Sequence, residues 1–181
     1  MSKRLLITGF DPFGSNSINP SWIAVNMLPE QIENYMLCKL QIPTVFGKAA
    51  ALVLEKAAEF KPDLILCIGL AVGRDAVTPE RIGVNIRDAR IPDNEGNQPV
   101  GERIIADGQL PIFQPSPWRK WPKPYTIHKF PLRFPIQPVP LFATMCYTRF
   151  CIIMKEQRCR LVLFTFPTFR GQAVRLSLWR K

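Results

Sequence analysis

Residues 64–70, Leu-Ile-Leu-Cys-Ile-Gly-Leu, form a continuous apolar run between polar and turn-forming segments. Such a run is typical of a strand that is buried on both faces of a parallel sheet. The preceding residues 47–60 are rich in strong helix formers and end just before Lys61 and Pro62. We therefore predict a helix that leads into a central strand.

The same alternation extends toward the N-terminus. Residues 36–43 and 3–8 predict two more strands, and a helix is expected from Pro20 to about Leu28, since proline suits the first helical turn. Strands alternating with helices at this spacing predict a three-layer α/β/α fold with a largely parallel sheet. In such folds, ligands bind at the carboxyl ends of the strands, which here lead into residues 9–19 and 71–81.

Composition changes abruptly near residue 108, although a chain of 181 residues fits one domain. Residues 1–108 carry 11 Lys or Arg and 13 Asp or Glu, a net charge of −2, whereas 109–181 carry 13 against the single Glu156, a net of +12. The second segment also holds ten of the 18 prolines and only one glycine. We expect this tail to be irregular or disordered, with no periodic element beyond Gly108.

A basic, aromatic-rich tail could bind nucleic acid or a membrane surface. Its basic residues follow no helical or strand period, however, and its prolines exclude a continuous helix. We therefore expect neither partner, and no stretch approaches the ~18 apolar residues of a membrane-spanning helix.

The cysteine and histidine content bears on compartment and metal binding. Five cysteines, an odd number, without a secretory hydrophobic segment favour a reducing, cytoplasmic location. Cys146, Cys151 and Cys159 lack the paired short spacing of zinc sites, and His128 is the only histidine. We expect no metal and no cofactor.

Three sequence blocks carry a family resemblance. They are Thr-Gly-Phe-Asp-Pro-Phe-Gly at 8–14 with Asn-Pro-Ser at 19–21, Thr-Pro-Glu-Arg at 78–81, and Asp-Ala-Arg-Ile-Pro-Asp-Asn at 88–94. In this order they resemble the signature of pyroglutamyl peptidase I, a cysteine peptidase that removes N-terminal pyroglutamate. The resemblance covers residues 1–108, with Leu70 and Val72 as departures from the usual pattern. It implies a cytosolic enzyme that acts on small pyroglutamyl peptides and is often homo-oligomeric.

The resemblance also implies roles for individual residues. In the family a Cys attacks the pyroglutamyl carbonyl, a His takes the thiol proton and a Glu, here Glu80, orients the His. Phe10 and Phe13 would pack against the flat lactam ring, and Asn19 lies in the same substrate-contacting loop. Arg90 would lie near the nucleophile, where its charge would favour the thiolate and the oxyanion.

Each role has a simpler structural alternative. Taken alone, Glu80 would be a solvated loop carboxylate, and Phe10 and Phe13 would be hydrophobic plugs under a loop. Arg90 could form a surface ion pair with Asp88 or Asp93. The Asp93-containing segment reads as a turn, and we assign Asp93 no chemical role.

The resemblance ends within one residue of Gly108, where the family continues with Pro-Ala-Ala-Tyr-Phe-Ser-Thr-Leu-Pro. With favourable synonymous codons, the bases that encode residues 108–117 yield this missing segment when each codon starts one base early. The same frame permits the nucleophile block Phe-Ile-Cys-Asn, whose Cys codon straddles Phe142 and Ala143. It also permits Ile-His-Ile-Pro-Tyr, whose His codon straddles Phe164 and Thr165.

Three ordered blocks in one alternative frame indicate the loss of one base near codon 108. As translated, residue 143 is Ala and residue 165 is Thr, so neither the nucleophile nor the base is encoded. We therefore predict that residues 1–108 are the N-terminal part of a pyroglutamyl peptidase domain and that 109–181 are an aberrant tail. Such a chain would lack peptidase activity. The alternatives are a remnant that still binds pyroglutamyl peptides and, less favoured, a basic protein that binds nucleic acid through the tail.

Overall fold

The computed structural model of this chain describes residues 2–71, 78–79, 82–108, 111–113, 126–127, 130–131 and 160–167. The helices are α1 (Pro20–Asn26) and α2 (Lys48–Phe60). The strands are β1 (Lys3–Phe10), β2 (Gln31–Ile32), β3 (Tyr35–Ile42), β4 (Leu64–Ala71), β5 (Thr78–Pro79), β6 (Ile82–Val84), β7 (Ile86–Arg87), β8 (Glu102–Arg103), β9 (Pro111–Phe113), β10 (Thr126–Ile127), β11 (Phe130–Pro131) and β12 (Arg160–Pro167).

The central sheet has the strand order β2-β3-β1-β4-β12-β5. β3, β1, β4 and β12 run parallel, while β2 and β5 pair antiparallel at the two edges. Both described helices connect parallel strands, as the sequence pattern predicts. The predicted α/β fold with a largely parallel sheet is confirmed, and each of the five predicted elements lies within two residues of its observed bounds.

Alternate residues of β1 face opposite helices, which creates two cores. On one face, Leu6 and Phe10 pack with Ala49, Val53 and other buried residues of the α2 side. On the other face, Leu5 and Ile7 pack with Val25 of α1 and with β3 and β4 residues. Because the side chains of a strand alternate in direction, one apolar strand supplies both cores. The sheet is thereby sandwiched between helices.

The tail contains an exception to the expected irregularity. β12 pairs with β4 over its full length, from Arg160 opposite Leu64 to Pro167 opposite Ala71. The reason lies in its sequence, Arg-Leu-Val-Leu-Phe-Thr-Phe-Pro, which is an apolar, β-prone run of the kind that fits a doubly covered parallel strand. The expectation that no periodic element follows Gly108 is therefore wrong for residues 160–167.

Within the described part of the chain, neither helix is long and apolar enough to cross a membrane.

Candidate functional site

The carboxyl ends of β1 and β3 lead into loops that meet at one edge of the sheet. We refer to residues 11–19 as the recognition loop and to residues 43–47 as the β3–α2 loop. A third segment, residues 88–98, joins them through side-chain and backbone hydrogen bonds. This edge is where a parallel α/β sheet places its ligands.

Asp11 is the hub of these contacts. Its carboxylate Oδ1 accepts hydrogen bonds from Thr44 N and Thr44 Oγ1, each at 2.7 Å. Its backbone N–H donates to Ile42 O at 2.9 Å, and its carbonyl oxygen accepts from Asn19 Nδ2 at 2.8 Å. Asn94 Nδ2 completes the set, donating to Pro12 O at 2.8 Å and lying 3.4 Å from Asp11 Oδ1. Asn19, Thr44 and Asn94 therefore all hold the start of the recognition loop in place.

Asn19 closes the recognition loop by capping α1. Its Oδ1 accepts from Ser21 N at 3.1 Å and from Ser21 Oγ at 2.8 Å, as a helix N-cap does. Ser21 Oγ in turn accepts from Phe10 N at 3.0 Å. With Nδ2 bound to Asp11 O, only one amide hydrogen of Asn19 remains for a substrate. The predicted substrate contact of Asn19 stays a prediction, and the structure gives this side chain a positioning role.

Gly9 allows the capped helix to approach the strand end closely. A Cβ at this position would lie 2.7 Å from Trp22 Cα and 2.8 Å from Ser21 C and O, all of which are backbone atoms. Any side chain here would push α1 away from β1. The Thr-Gly-Phe sequence thus has a packing reason for its glycine.

The two candidate aromatic residues lie in different environments. Phe10 is 5% exposed and packs into the core between the sheet and α2. Phe13 is half-buried in the recognition loop, where its carbonyl oxygen accepts from Asn16 N and Asn16 Nδ2 at 3.3 and 3.2 Å. The environment of Phe10 agrees with the simpler alternative of a hydrophobic plug. Phe13 is therefore the better placed of the two to meet a ligand, and both contacts stay predictions.

Asp93 organises the 88–98 segment. Its carboxylate is 6% exposed and accepts from Phe46 N at 2.8 Å, and from Glu95 N and Asn97 N at 2.9 Å. Asn97 Nδ2 also donates to both of its oxygens. Burial raises the pKa of Asp93, but these hydrogen bonds together outweigh burial and hold the pKa below its ordinary value. The turn predicted here exists, and Asp93 anchors it to the β3–α2 loop.

Arg90 lies four residues before Asn94 on this segment, and its side chain is exposed. Its carbonyl oxygen accepts from Gln98 Nε2 at 3.1 Å. Among the described residues its guanidinium forms no ion pair, so the alternative of a pair with Asp88 or Asp93 is not seen. A role beside a nucleophile stays a prediction. Glu80, the candidate orienting acid, lies outside the described residues.

Two cysteines fall within the described ranges, and neither forms a disulfide there. Cys67 is buried in β4, and burial raises the pKa of its thiol to about 11, with a smaller opposing effect from the Thr8 hydroxyl. Cys38 of β3 also has a raised pKa, mainly because of burial, with Lys56 opposing. Since the thiolate is the reactive form, neither cysteine is suited to act as a nucleophile near neutral pH. The same ranges contain no cluster of His, Cys, Asp and Glu that could hold a metal ion.

Asn85 fixes the chain at the predicted end of the resemblance. It is fully buried; its Nδ2 donates to Ile105 O at 2.7 Å and Gly108 O at 3.1 Å, and its Oδ1 accepts from Ile105 N at 2.9 Å. A Cβ at residue 108 would lie 2.6 Å from Asn85 Nδ2, so the glycine is required for this contact. Specific packing therefore continues up to Gly108.

The sequence assigned no role to three residues that hold the site together, Thr44, Asp93 and Asn94, or to Asn85, which fixes the chain at Gly108. Each acts through a partner 20 or more residues away in sequence, such as Thr44 with Asp11 at a separation of 33 and Asn94 with Pro12 at 82. A single sequence carries no signal for such pairs. Only Asp93, an acidic residue inside a predicted turn, offered a local hint.

Comparison with known proteins places these features in a family. The family model described as pyroglutamyl peptidase matches residues 3–131. A pyrrolidone-carboxylate peptidase of Clostridium perfringens is 53% identical over 114 residues, and one of Staphylococcus saprophyticus is 48% identical over 117 residues. These alignments cover 63% and 65% of this chain but 54% and 55% of the relatives, so the chain matches only about half of their length.

Solved structures agree with the sequence match. The crystal structure of pyroglutamyl peptidase I from Bacillus amyloliquefaciens superposes with a TM-score of 0.84 at 34% identity, covering 93% of this chain and 81% of that one. Pyrrolidone carboxyl peptidase from Thermococcus litoralis gives a TM-score of 0.80 at 30% identity, covering 95% and 80%. Because the family model matches residues 3–131 and the fold matches solved structures of the same name, the chain belongs to the pyroglutamyl peptidase family.

Proposed function

We propose that this chain derives from a cysteine-type pyroglutamyl peptidase whose reading frame has lost one base near codon 108, and that it does not hydrolyse pyroglutamyl peptides. The observation that carries the proposal is the identity of two residues. The shifted frame would encode Cys across Phe142 and Ala143 and His across Phe164 and Thr165, whereas the translated chain has neither side chain there. Removal of a covalent nucleophile costs many orders of magnitude in rate.

The sheet register supports this account. β12 coincides with the segment whose shifted frame reads Ile-His-Ile-Pro-Tyr, and Thr165 pairs with Gly69 of β4 and with Thr78 of β5. Thr78 lies two residues before Glu80 in the sequence. A histidine at residue 165 would therefore pair with a residue that is two positions before the candidate orienting acid in the sequence.

The described cysteines offer no substitute nucleophile. Cys67 lies in the middle of the sheet with a pKa of about 11, and Cys38 also has a raised pKa. Cys146, Cys151, Cys159 and His128 lie outside the described residues, and the codons of Cys146 and His128 are unrelated to those of the shifted catalytic pair. The predicted domain boundary at residue 108 and the cytoplasmic location remain part of this proposal.

Release of p-nitroaniline from pyroglutamyl-p-nitroanilide tests the proposal. The translated chain is expected to give no turnover above the blank, and the product of the gene with one base inserted at codon 108 is expected to be active. A matched control keeps the inserted base but changes the restored Cys codon to Ala, which should abolish activity again. Turnover by the translated chain, or stop codons in the restored frame, would contradict the proposal.

A second candidate function is retained recognition without catalysis. The recognition loop, the β3–α2 loop and the 88–98 segment keep a connected set of hydrogen bonds, and Phe13 is half-buried among them. A neutral lactam needs an apolar face and a few hydrogen-bonding groups, which such a loop cluster can supply. Saturable binding of a pyroglutamyl dipeptide, weakened by Phe13→Ala, would support it; no binding would exclude it.

A further inference from the structure

The contacts between Asp11, Thr44 and Asn94 connect three segments that are distant in sequence. We call this set the Asp11 clasp. We propose that the Asp11 clasp is a positioning device for lactam recognition, in which Asp11 sets the backbone that presents Phe13. This inference rests on the proposed retained recognition of pyroglutamyl peptides.

The clasp fixes the backbone on both sides of Phe13. Asp11 is fixed on one side by Thr44 N and Oγ1, and the carbonyl of the next residue, Pro12, is held by Asn94 Nδ2 at 2.8 Å. The carbonyl of Phe13 itself is held by Asn16. The backbone before and after Phe13 is therefore fixed, while the residue is only half-buried.

The Asp11 carboxylate is bound by hydrogen bonds from uncharged groups. Ion pairs among the described residues do not include Asp11, and its carboxylate accepts only from uncharged groups of Thr44 and Asn94. Thr44 is 3% exposed, so its N–H and hydroxyl would each lose a short charge-assisted bond without Asp11.

The clasp lies at the edge of the sheet and not in its interior. Asp11 is only half-buried, whereas the core residues Leu6, Val25 and Ile65 are fully buried. The clasp contacts are loop-to-loop contacts at the sheet edge, and Asn94 is exposed. Loss of one of these contacts should therefore alter loop order more than it alters the global fold.

Thr44 offers a matched pair of substitutions for the test. Thr44→Val has nearly the same shape but removes the hydroxyl donor to Asp11, whereas Thr44→Ser keeps it. Asn94→Ala removes the bond to Pro12 O without touching the core. Glu95→Gln is the control, because the Glu95 side chain forms an exposed ion pair with Lys48 and the substitution keeps the backbone N–H that binds Asp93. Each full-length variant is titrated with a pyroglutamyl dipeptide by calorimetry, and its melting temperature is measured in parallel.

The expected result is that Thr44→Val and Asn94→Ala each weaken binding roughly threefold to tenfold, the value of one net hydrogen bond. Thr44→Ser and Glu95→Gln should bind like the parent chain, and the melting temperature of Asn94→Ala should stay within a few degrees of the parent. Thr44→Ser keeps the hydroxyl but removes a buried methyl group, so an effect of lost buried volume would appear in Thr44→Ser and not in Thr44→Val.

The possible results distinguish failure of the Asp11 clasp from failure of the retained recognition of pyroglutamyl peptides. A parent chain that binds, together with Thr44→Val and Asn94→Ala chains that bind equally well, overturns the clasp and leaves retained recognition standing. Weakened binding in exact proportion to lost melting temperature in both variants also overturns it, because the clasp would then be merely structural. A parent chain that does not bind overturns retained recognition and the clasp with it.

Discussion

Replacement of Asp93 by Asn provides a quantitative test of how the 88–98 segment is anchored. An amide has one carbonyl oxygen, so its NH2 group must face either the Phe46 N–H or the N–H groups of Glu95 and Asn97. A stranded buried donor costs about 1–3 kcal/mol, and the remaining bonds lose their charge assistance. We expect Asp93→Asn to lower the free energy of unfolding by about 2–4 kcal/mol at pH 7.

The pH dependence gives this prediction a second readout. The pKa of Asp93 in the folded chain lies below its ordinary value, so the carboxylate stabilises the fold above the unfolded-state pKa of about 3.9. This stabilisation is lost as the pH falls through the lower, folded-state pKa. The Asn variant does not titrate, so its deficit relative to the parent should narrow below about pH 4.

Urea denaturation from pH 7 down to pH 2.5 measures the deficit, and amide exchange of Phe46 N–H reports the anchor locally. Asp88→Asn is the control, since it removes the same charge from an exposed carboxylate of the same segment and should cost less than about 0.5 kcal/mol. A deficit below about 0.5 kcal/mol for Asp93→Asn, or one that stays constant down to the lowest pH, would refute the reasoning.

Three further predictions concern other described residues. Gly9→Ala should destabilise the chain by about 1–3 kcal/mol in urea denaturation, because the new Cβ would lie 2.7 Å from a backbone atom of α1. An unchanged denaturation midpoint would contradict this close approach. Asn85→Ala should cost about 2–4 kcal/mol and speed amide exchange at Ile105, since the Ile105 N–H and carbonyl both lose a buried partner; unchanged exchange would argue against that anchor. Iodoacetamide should label Cys67 only slowly at pH 8, because on the order of a thousandth of a thiol with a pKa of about 11 is ionised there. Peptide mass mapping measures the labelling, and a rate as fast as in the urea-unfolded chain would exclude such a buried thiol.

Local patterns in the sequence were sufficient to predict the elements that surround the site. The apolar run at 64–70 and the helix formers at 47–60 gave β4 and α2 nearly to the residue, because burial on both faces and helix propensity act over short windows. Pro20 likewise marked the start of α1, since a proline fits the first turn of a helix.

The side-chain network of the site could not be predicted in the same way. Asp11 meets Thr44 and Asn94 only after β3 and the 88–98 segment have been placed beside β1. The resemblance suggested substrate contacts for Phe10 and Asn19, but burial and capping already use most of these two side chains. A sequence motif identifies the loop that forms the site. Tertiary packing then decides which of its side chains can contact a ligand and which ones support the loop.

If the reading frame has changed as proposed, β12 explains how part of the fold can be kept while the catalytic residues are lost. Addition of a strand to β4 requires an apolar, β-prone run with backbone N–H and C=O groups in register, and many sequences meet that condition. Residues 160–167 meet it as translated, and in the shifted frame residues 163–168 read Ile-His-Ile-Pro-Tyr, which is also mostly apolar and β-prone. Catalysis, by contrast, depends on the identity of single side chains, and Thr165 cannot act as a base in place of histidine. A family-like sheet in this chain is therefore compatible with the proposed absence of peptidase activity, and superposition on a pyroglutamyl peptidase structure is no argument for turnover.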